Sequence, residues 1–321
     1  MIVLTGGAGF IGSCMLRKLN DEGIDDVLVV DELKSGNKWK NLVGKRFSDI
    51  LHKDDFRLRL LSGEYDGSIE GIFHFGACSS TTETDADYLL DNNYAYSRDL
   101  AEFAVAQDVR LIYASSAATY GDGSKGYSDT EFDSLSPLNM YGYSKHIFDQ
   151  WVRRKGYDQR FVGLKFFNVF GPNEYHKNDM ASLVFKACRQ IEQSGTVELF
   201  KSYRDDYADG EQKRDFIYVA DAVNAVWGFW LDPQTAGIYN IGTGQARSWN
   251  DLVNATFAAL QRPTNIRYID MPENLRDQYQ YFTQAEVDRL KDALPQLQFH
   301  TLEDAVADYV NEYLHPTRRT H

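Results

Sequence analysis

Cysteine is scarce: Cys14, Cys78 and Cys188 are the only three. An odd number at wide spacing excludes a disulfide framework and a zinc ligand set, so three reduced thiols are expected. The seven histidines contain no His-x-x-x-His pair, and no acidic repeat has the spacing of a calcium loop, so no metal is expected. Long apolar runs are missing too. None approaches the roughly 18–20 residues that cross a bilayer, and no membrane contact is expected. No basic leader precedes Ile2-Val3-Leu4, which makes the cytoplasm the expected location. Cations are in deficit, 34 Lys and Arg against 47 Asp and Glu, for a net charge of −13. Without a dense basic block this repels nucleic acid, and an anionic substrate would have to be held by local cations. Repeats, low-complexity tracts and Pro/Gly/Ser linkers are likewise absent.

What remains is a chain of 321 residues, 43% apolar, longer than one hydrophobic core usually holds. Its first half alternates short apolar runs with amphipathic stretches, the pattern of a doubly wound parallel α/β sheet of Rossmann type. Strands are predicted at 1–4, 27–30, 71–75, 109–114 and 161–167, and helices at 9–21, 85–107 and 140–155. Val27-Leu28-Val29-Val30 is apolar throughout, as a strand buried on both faces should be. After Phe167 the texture turns aromatic and polar. Arg214 to Val219, followed by an amphipathic stretch to Leu231, reads as a return to the lobe that holds the sheet. The predicted division is therefore a cofactor domain of residues 1–167 plus about 212–243, and a smaller, discontinuous substrate domain of about 168–211 plus 244–321. A closing helix is expected over 302–314.

Gly6, Gly9 and Gly12 fall directly after the first strand and open the first helix. In that context Gly-x-x-Gly-x-x-Gly is a dinucleotide-binding turn: glycine permits the tight bend, the approach of backbone to a pyrophosphate and close helix packing. Asp31, 19 residues beyond Gly12 at the end of the second strand, is placed to accept from an adenosine ribose, which favours NAD. Lys34, Lys38, Lys40 and Lys53 follow and could neutralise a 2′-phosphate, which favours NADP. Tyr141 and Lys145 form Tyr-x-x-x-Lys on a predicted helix, one turn apart on one face. A phenol titrates near ~10, and an adjacent ammonium would favour its phenolate. Ser115 and Ser116 end a buried strand at the carboxyl edge, where ligands bind in such sheets. Ser116, Tyr141 and Lys145 are the expected catalytic triad.

These motifs together resemble the extended short-chain dehydrogenase/reductases over nearly the whole chain. Within them, Gly76-Ala77-Cys78-Ser79-Ser80-Thr81-Thr82-Glu83, Asp91-Asn92-Asn93-Tyr94, the run from Tyr113 to Gly121, Lys177 with Met180-Ala181-Ser182, and Lys213-Arg214-Asp215-Phe216 are similar to the epimerases of ADP-linked heptose. The resemblance implies a retained NADP, with NAD the alternative, and inversion at C6 of the heptose by transient oxidation and re-reduction, in the making of the lipopolysaccharide core. It implies a homo-oligomer, a pentamer among the candidate forms. It supplies Lys177 as a second acid/base beside Tyr141. Phe10, Ile11, Asp31, Glu32, Lys38, Lys53, Phe75, Gly76, Ala77, Cys78, Ser79, Asn92, Lys145, Val169 and Lys177 are implied cofactor contacts. Asn168, Asp179, Lys186, Phe200, Lys201, Ser202, Tyr203, Arg214 and Tyr279 are implied substrate contacts. Phe75 and Asp179 depart from the family's usual residues, and the loop 201–212 is longer. Ala117 and Ala118 stand where a 4,6-dehydratase needs an acidic pair, so dehydration is not expected. A hexose 4-epimerase and a non-catalytic cofactor-binding regulator are the rival readings.

Overall fold

The computed structural model describes residues 1–131, 133–276 and 279–314. Twelve strands run in chain order: β1 (Ile2–Thr5), β2 (Val27–Asp31), β3 (Asp49–His52), β4 (Gly71–His74), β5 (Arg110–Ser116), β6 (Val162–Phe166), β7 (Asn168–Phe170), β8 (Val197–Phe200), β9 (Lys213–Tyr218), β10 (Gly237–Ile241), β11 (Ala246–Ser248) and β12 (Ile266–Ile269). Seven form a parallel sheet in the order β10-β6-β5-β4-β1-β2-β3. Chain progression reverses between β1 and β4, the crevice in which open α/β sheets bind ligands.

Side chains alternate across this sheet, and both faces are apolar. Leu4, Val29, Phe73 and Ile112 join one core with α1 (Phe10–Asp21), while Val3, Leu28, Ile72 and Leu111 join another with α2 (Lys53–Leu61). The second core also takes Leu100 from the helical segment α3 (Ala86–Leu89) and α4 (Tyr96–Ala106), and Phe148 and Trp151 from α5 (Met140–Arg154). Farther on, α6 (Leu183–Ser194) and α8 (Trp249–Ala259) pack together over the pair β8 and β12, and α7 (Val219–Leu231) returns to pack beside α1.

Several expectations are corrected here. The strand bearing Arg214, β9, lies between β7 and β11 in a separate three-stranded sheet. The chain returns through α7, and β10 is the strand that docks on β6. β3 and α2 escaped the sequence pattern because β3 is a half-exposed edge strand with only two apolar residues. The helix expected over 85–107 is interrupted by a π-helical segment, Leu90–Ala95, and the closing helix ends in another, Tyr309–Leu314. Such bulges are common at functional sites. The remaining boundaries move by one or two residues.

Candidate active site

The glycine turn is built by contacts that a side chain would forbid. Gly6 holds a left-handed φ of +69°, and a Cβ there would lie 2.7 Å from the nitrogen of Gly76. A Cβ on Gly12 would lie 2.1 Å from the carbonyl oxygen of Gly6. The N-cap of α1 is itself a glycine, Gly9, and no acidic residue occupies the first turn, so its N–H groups and positive dipole end are offered to an anion. Gly12→Ala is expected to force the turn apart at a cost of about 1–3 kcal/mol and to abolish dinucleotide binding, measured by fluorescence titration.

Asp31 lines the site's cavity and also braces the glycine turn. Its Oδ2 accepts from the Ala8 N–H at 2.8 Å, and its Oδ1 accepts from the Glu32 N–H at 2.7 Å and from the Lys38 ammonium. With 4% of the side chain exposed, this carboxylate braces the glycine turn and anchors Lys38. Lys53 opens α2 and reaches Asp54 at 2.7 Å. Lys34 instead turns to Glu32, and Lys40 lies beside the exposed Trp39.

Asn139 caps α5 by accepting from the Gly142 N–H at 2.8 Å, which fixes the turn bearing Tyr141. Burial pushes the Tyr141 phenol above its ordinary range, and a hydrogen bond with Ser116 opposes that. Lys145 was expected to depress the phenol. Its ammonium donates to the Ala114 carbonyl at 2.9 Å and, being buried, is pushed down to about 8, with Asp149 opposing the fall. Asn93, on the π-helical segment, accepts from the Cys78 N–H and donates to the Cys78 carbonyl, both at 2.9 Å, and donates to Ser144 Oγ at 3.0 Å. It thereby ties the 75–79 loop to α5.

Lys177 arrives from another element, the 3₁₀ turn Tyr175–Met180, with its ammonium 5.4 Å from the centre of the Phe10 ring. Burial lowers its pKa and Glu174 raises it. Beside it, His176 is pushed down to about 4, by burial first and then by Lys38 and Lys177, and is therefore neutral near pH 7.

Every residue expected at the cofactor lines one cavity of about 520 Å³, together with Ser116, Tyr141, Asn168 and Lys186. That volume suits a small-molecule site. Lys186 also donates to the Asp179 carbonyl at 3.2 Å. The other expected substrate residues lie outside the cavity wall but connect to it through aromatic rings. Trp249 lines the cavity and donates to Tyr279 Oη at 2.8 Å. The buried Arg214 guanidinium lies 5.6 Å from the Trp249 ring centre and 5.3 Å from that of Tyr279, donating to the carbonyls of Lys213 and Gln280. Tyr281 stacks edge-on against Tyr279 and accepts from the Tyr203 N–H at 3.0 Å. Farther out, Lys201 pairs with Asp270 at 3.0 Å, the Ser202 N–H donates to Asp209, and Arg276 covers the Tyr203 ring at 3.9 Å; Phe200 ends β8 beside them. Sequence reasoning missed Trp249, Phe216, Leu252, Tyr88 and His176 on the cavity wall. Of these only His176, adjacent to Lys177, carried a usable signal.

Among the described residues no group of His, Cys, Asp and Glu could hold a metal ion, and no helix is long and apolar enough to cross a membrane.

The NAD dependent epimerase/dehydratase family model matches residues 2–242. An ADP-L-glycero-D-manno-heptose-6-epimerase of Nitratidesulfovibrio vulgaris is 53% identical over 98% of both chains, and one from Fusobacterium nucleatum is 47% identical over the same shares. The crystal structure of the Helicobacter pylori ADP-L-glycero-D-manno-heptose-6-epimerase superposes with a TM-score of 0.84 at 31% identity, covering 97% of this chain and 95% of that one. The glycine turn, the Tyr141 and Lys145 pair and these likenesses agree: this chain belongs to the NAD dependent epimerase/dehydratase family and is an epimerase.

Proposed function

We propose that the protein inverts C6 of the heptose in ADP-D-glycero-D-manno-heptose, giving the L-glycero epimer, with a retained NADP. The observation that carries this reading is one cavity served by two proton-handling side chains from separate elements, Tyr141 on α5 and Lys177 on the 3₁₀ turn. A carbinol C–H is too weakly acidic for a side chain to remove, and a bound nicotinamide supplies the reversible oxidation that makes inversion feasible. The turn from Gly6 to Gly12 fits that group, because its backbone contacts leave no room for Cβ atoms and expose a helix N-terminus. Tyr141, bonded to Ser116, exchanges the hydroxyl proton on one side. Lys177 does so from the other. Lys145, held by the Ala114 carbonyl, orients the ribose side of the pocket. Arg214, between two aromatic rings, is suited to the diphosphate as a planar fork.

Lys38 and Lys53, both facing the cavity, support NADP over NAD despite Asp31, which faces it as well. Lys53→Met is expected to weaken NADP by about 1.5–3 kcal/mol and NAD hardly at all, measured by calorimetric titration. In a bacterium that makes heptose-containing lipopolysaccharide, the product would supply its core.

Incubation with the D-glycero substrate and no added reductant, followed by NMR of C6, tests the assignment. An unchanged C6 overturns it, and turnover of UDP-galactose would favour a hexose 4-epimerase. The cytoplasm and a homo-oligomeric state, with the domain division given above, complete the proposal.

A further inference from the structure

Next to the strand that carries Ser116 sits a buried ion pair that the proposed proton chemistry does not use. Lys165 of β6 donates to Asp149 of α5 at 2.6 Å, and neither side chain is exposed to solvent. Taking two charges out of water is costly enough that apolar residues in their place are often as stable, so such a pair is a poor source of stability. Its hydrogen bonds show what it holds. Asp149 accepts from Ser115 Oγ at 2.6 Å and from Tyr113 Oη at 3.1 Å, both on β5. One helical turn earlier on α5, the Lys145 ammonium donates to the Ala114 carbonyl at 2.9 Å, so α5 grips three successive residues of β5 that lead to Ser116. Lys165 takes the other flank. It also donates to Thr119 Oγ1 at 2.8 Å, and that hydroxyl donates to the Ser116 carbonyl at 2.8 Å. Thr119 belongs to the 3₁₀ turn Ala117–Tyr120, which Ser116 caps: Ser116 Oγ accepts from the Ala118 N–H at 3.1 Å. A shift of this turn therefore moves the Ser116 hydroxyl itself.

We propose that Asp149 and Lys165 are positioning residues for the Ser116 hydroxyl: the anion fixes the backbone before it through Ser115, and the cation fixes the turn after it through Thr119. Together they set where Ser116 meets Tyr141. This rests on the assignment of Ser116 and Tyr141 to the proton exchange. The pair touches neither substrate nor dinucleotide, since both of its members lie outside the cavity wall. Its effect therefore falls on the rate of the chemical step and not on binding.

Asp149→Asn combined with Lys165→Met removes both charges and leaves neither stranded, so the fold should survive, which circular dichroism and melting check. In the cofactor-loaded enzyme kcat is expected to fall about 10–100-fold, with KM and dinucleotide affinity within about twofold of wild type. An unchanged kcat overturns the proposal. The same two substitutions in a Ser116→Ala background have no hydroxyl left to position, and there they should change kcat by less than about twofold. A loss that persists undiminished in that background marks a merely structural pair and overturns the proposal as well. Should the double variant not fold, Thr119→Val cuts the link between Lys165 and the Ser116 carbonyl, and a fall in kcat of about tenfold is expected; an unchanged value there overturns the proposal equally. Ser116→Ala alone separates the two failures. A full kcat in Ser116→Ala sinks the reading of Ser116 and the role of the pair with it, whereas a slow Ser116→Ala beside an unchanged double variant sinks only the role of Asp149 and Lys165.

Discussion

Tyr141→Phe is expected to lower epimerisation by roughly 10²–10⁴-fold while the protein stays folded and keeps its dinucleotide. Phe occupies the same buried volume, and the Asn139 cap that fixes this turn of α5 bonds to backbone, so packing is undisturbed. What goes is the hydroxyl bonded to Ser116, the one phenol in the cavity coupled to a second hydroxyl at the sheet's carboxyl edge. The glycine turn does not touch this position, so binding of the dinucleotide, followed by fluorescence, should remain near wild type. The reaction's pH dependence should carry the mark of Lys145. Its amine, pushed down to about 8 by burial, is charged below that pH and loses its proton above it. The kcat/KM of the wild-type enzyme should therefore decline as pH rises through about 8, since the free enzyme's titration governs that quantity. A Tyr141→Phe enzyme with wild-type turnover would return the protein to the class of cofactor-binding regulators.

Short-range features were the legible ones. The glycine turn, Asp31 and the Tyr141 and Lys145 pair are spacings within one strand–helix unit, and local geometry alone places their backbones. The roles assigned to them were less secure, because a role depends on which donors a fold brings near. The sequence could not show that β2 laid beside β1 brings the Ala8 N–H, 23 residues back, to one oxygen of Asp31. Nor could it show that β5 offers the Ala114 carbonyl to Lys145. Trp249 was invisible because it reaches the cavity from α8, whose position follows from the long connection after β7 and from no periodicity; Phe216, though inside the run 213–216, gave no sign of its own that it meets Trp249 there. Sequence pattern could not show that the strand bearing Arg214 belongs to the three-stranded sheet, while the amphipathic helix after it packs beside α1. Residues 277–278, within the tract read as part of the substrate domain, lie outside the described residues.

Lys177→Met is expected to abolish inversion as completely as Tyr141→Phe, by roughly 10²–10⁴-fold, because under the proposed mechanism a proton is exchanged on each side of the carbinol and each residue would serve one. Met fills the space of the lysine stem against Phe10 without its charge. No ion pair among the described residues ends at Lys177, and Ser182 still donates to both Glu174 oxygens beside it. Stability should therefore change little, measured as a melting shift of a few degrees. The decisive comparison is the double variant. If Tyr141 and Lys177 act in series on one molecule, removing either already stops inversion, and Tyr141→Phe with Lys177→Met should be no more than about tenfold slower than either alone. If Lys177 were only a cation for phosphate, its loss would instead raise KM, leave kcat largely intact and multiply with the Tyr141 effect. Measuring kcat and KM for the three variants by NMR of the C6 configuration separates these cases. An additive double variant would remove Lys177 from the chemistry and leave the second proton to another cavity group, of which neutral His176 is the nearest in sequence.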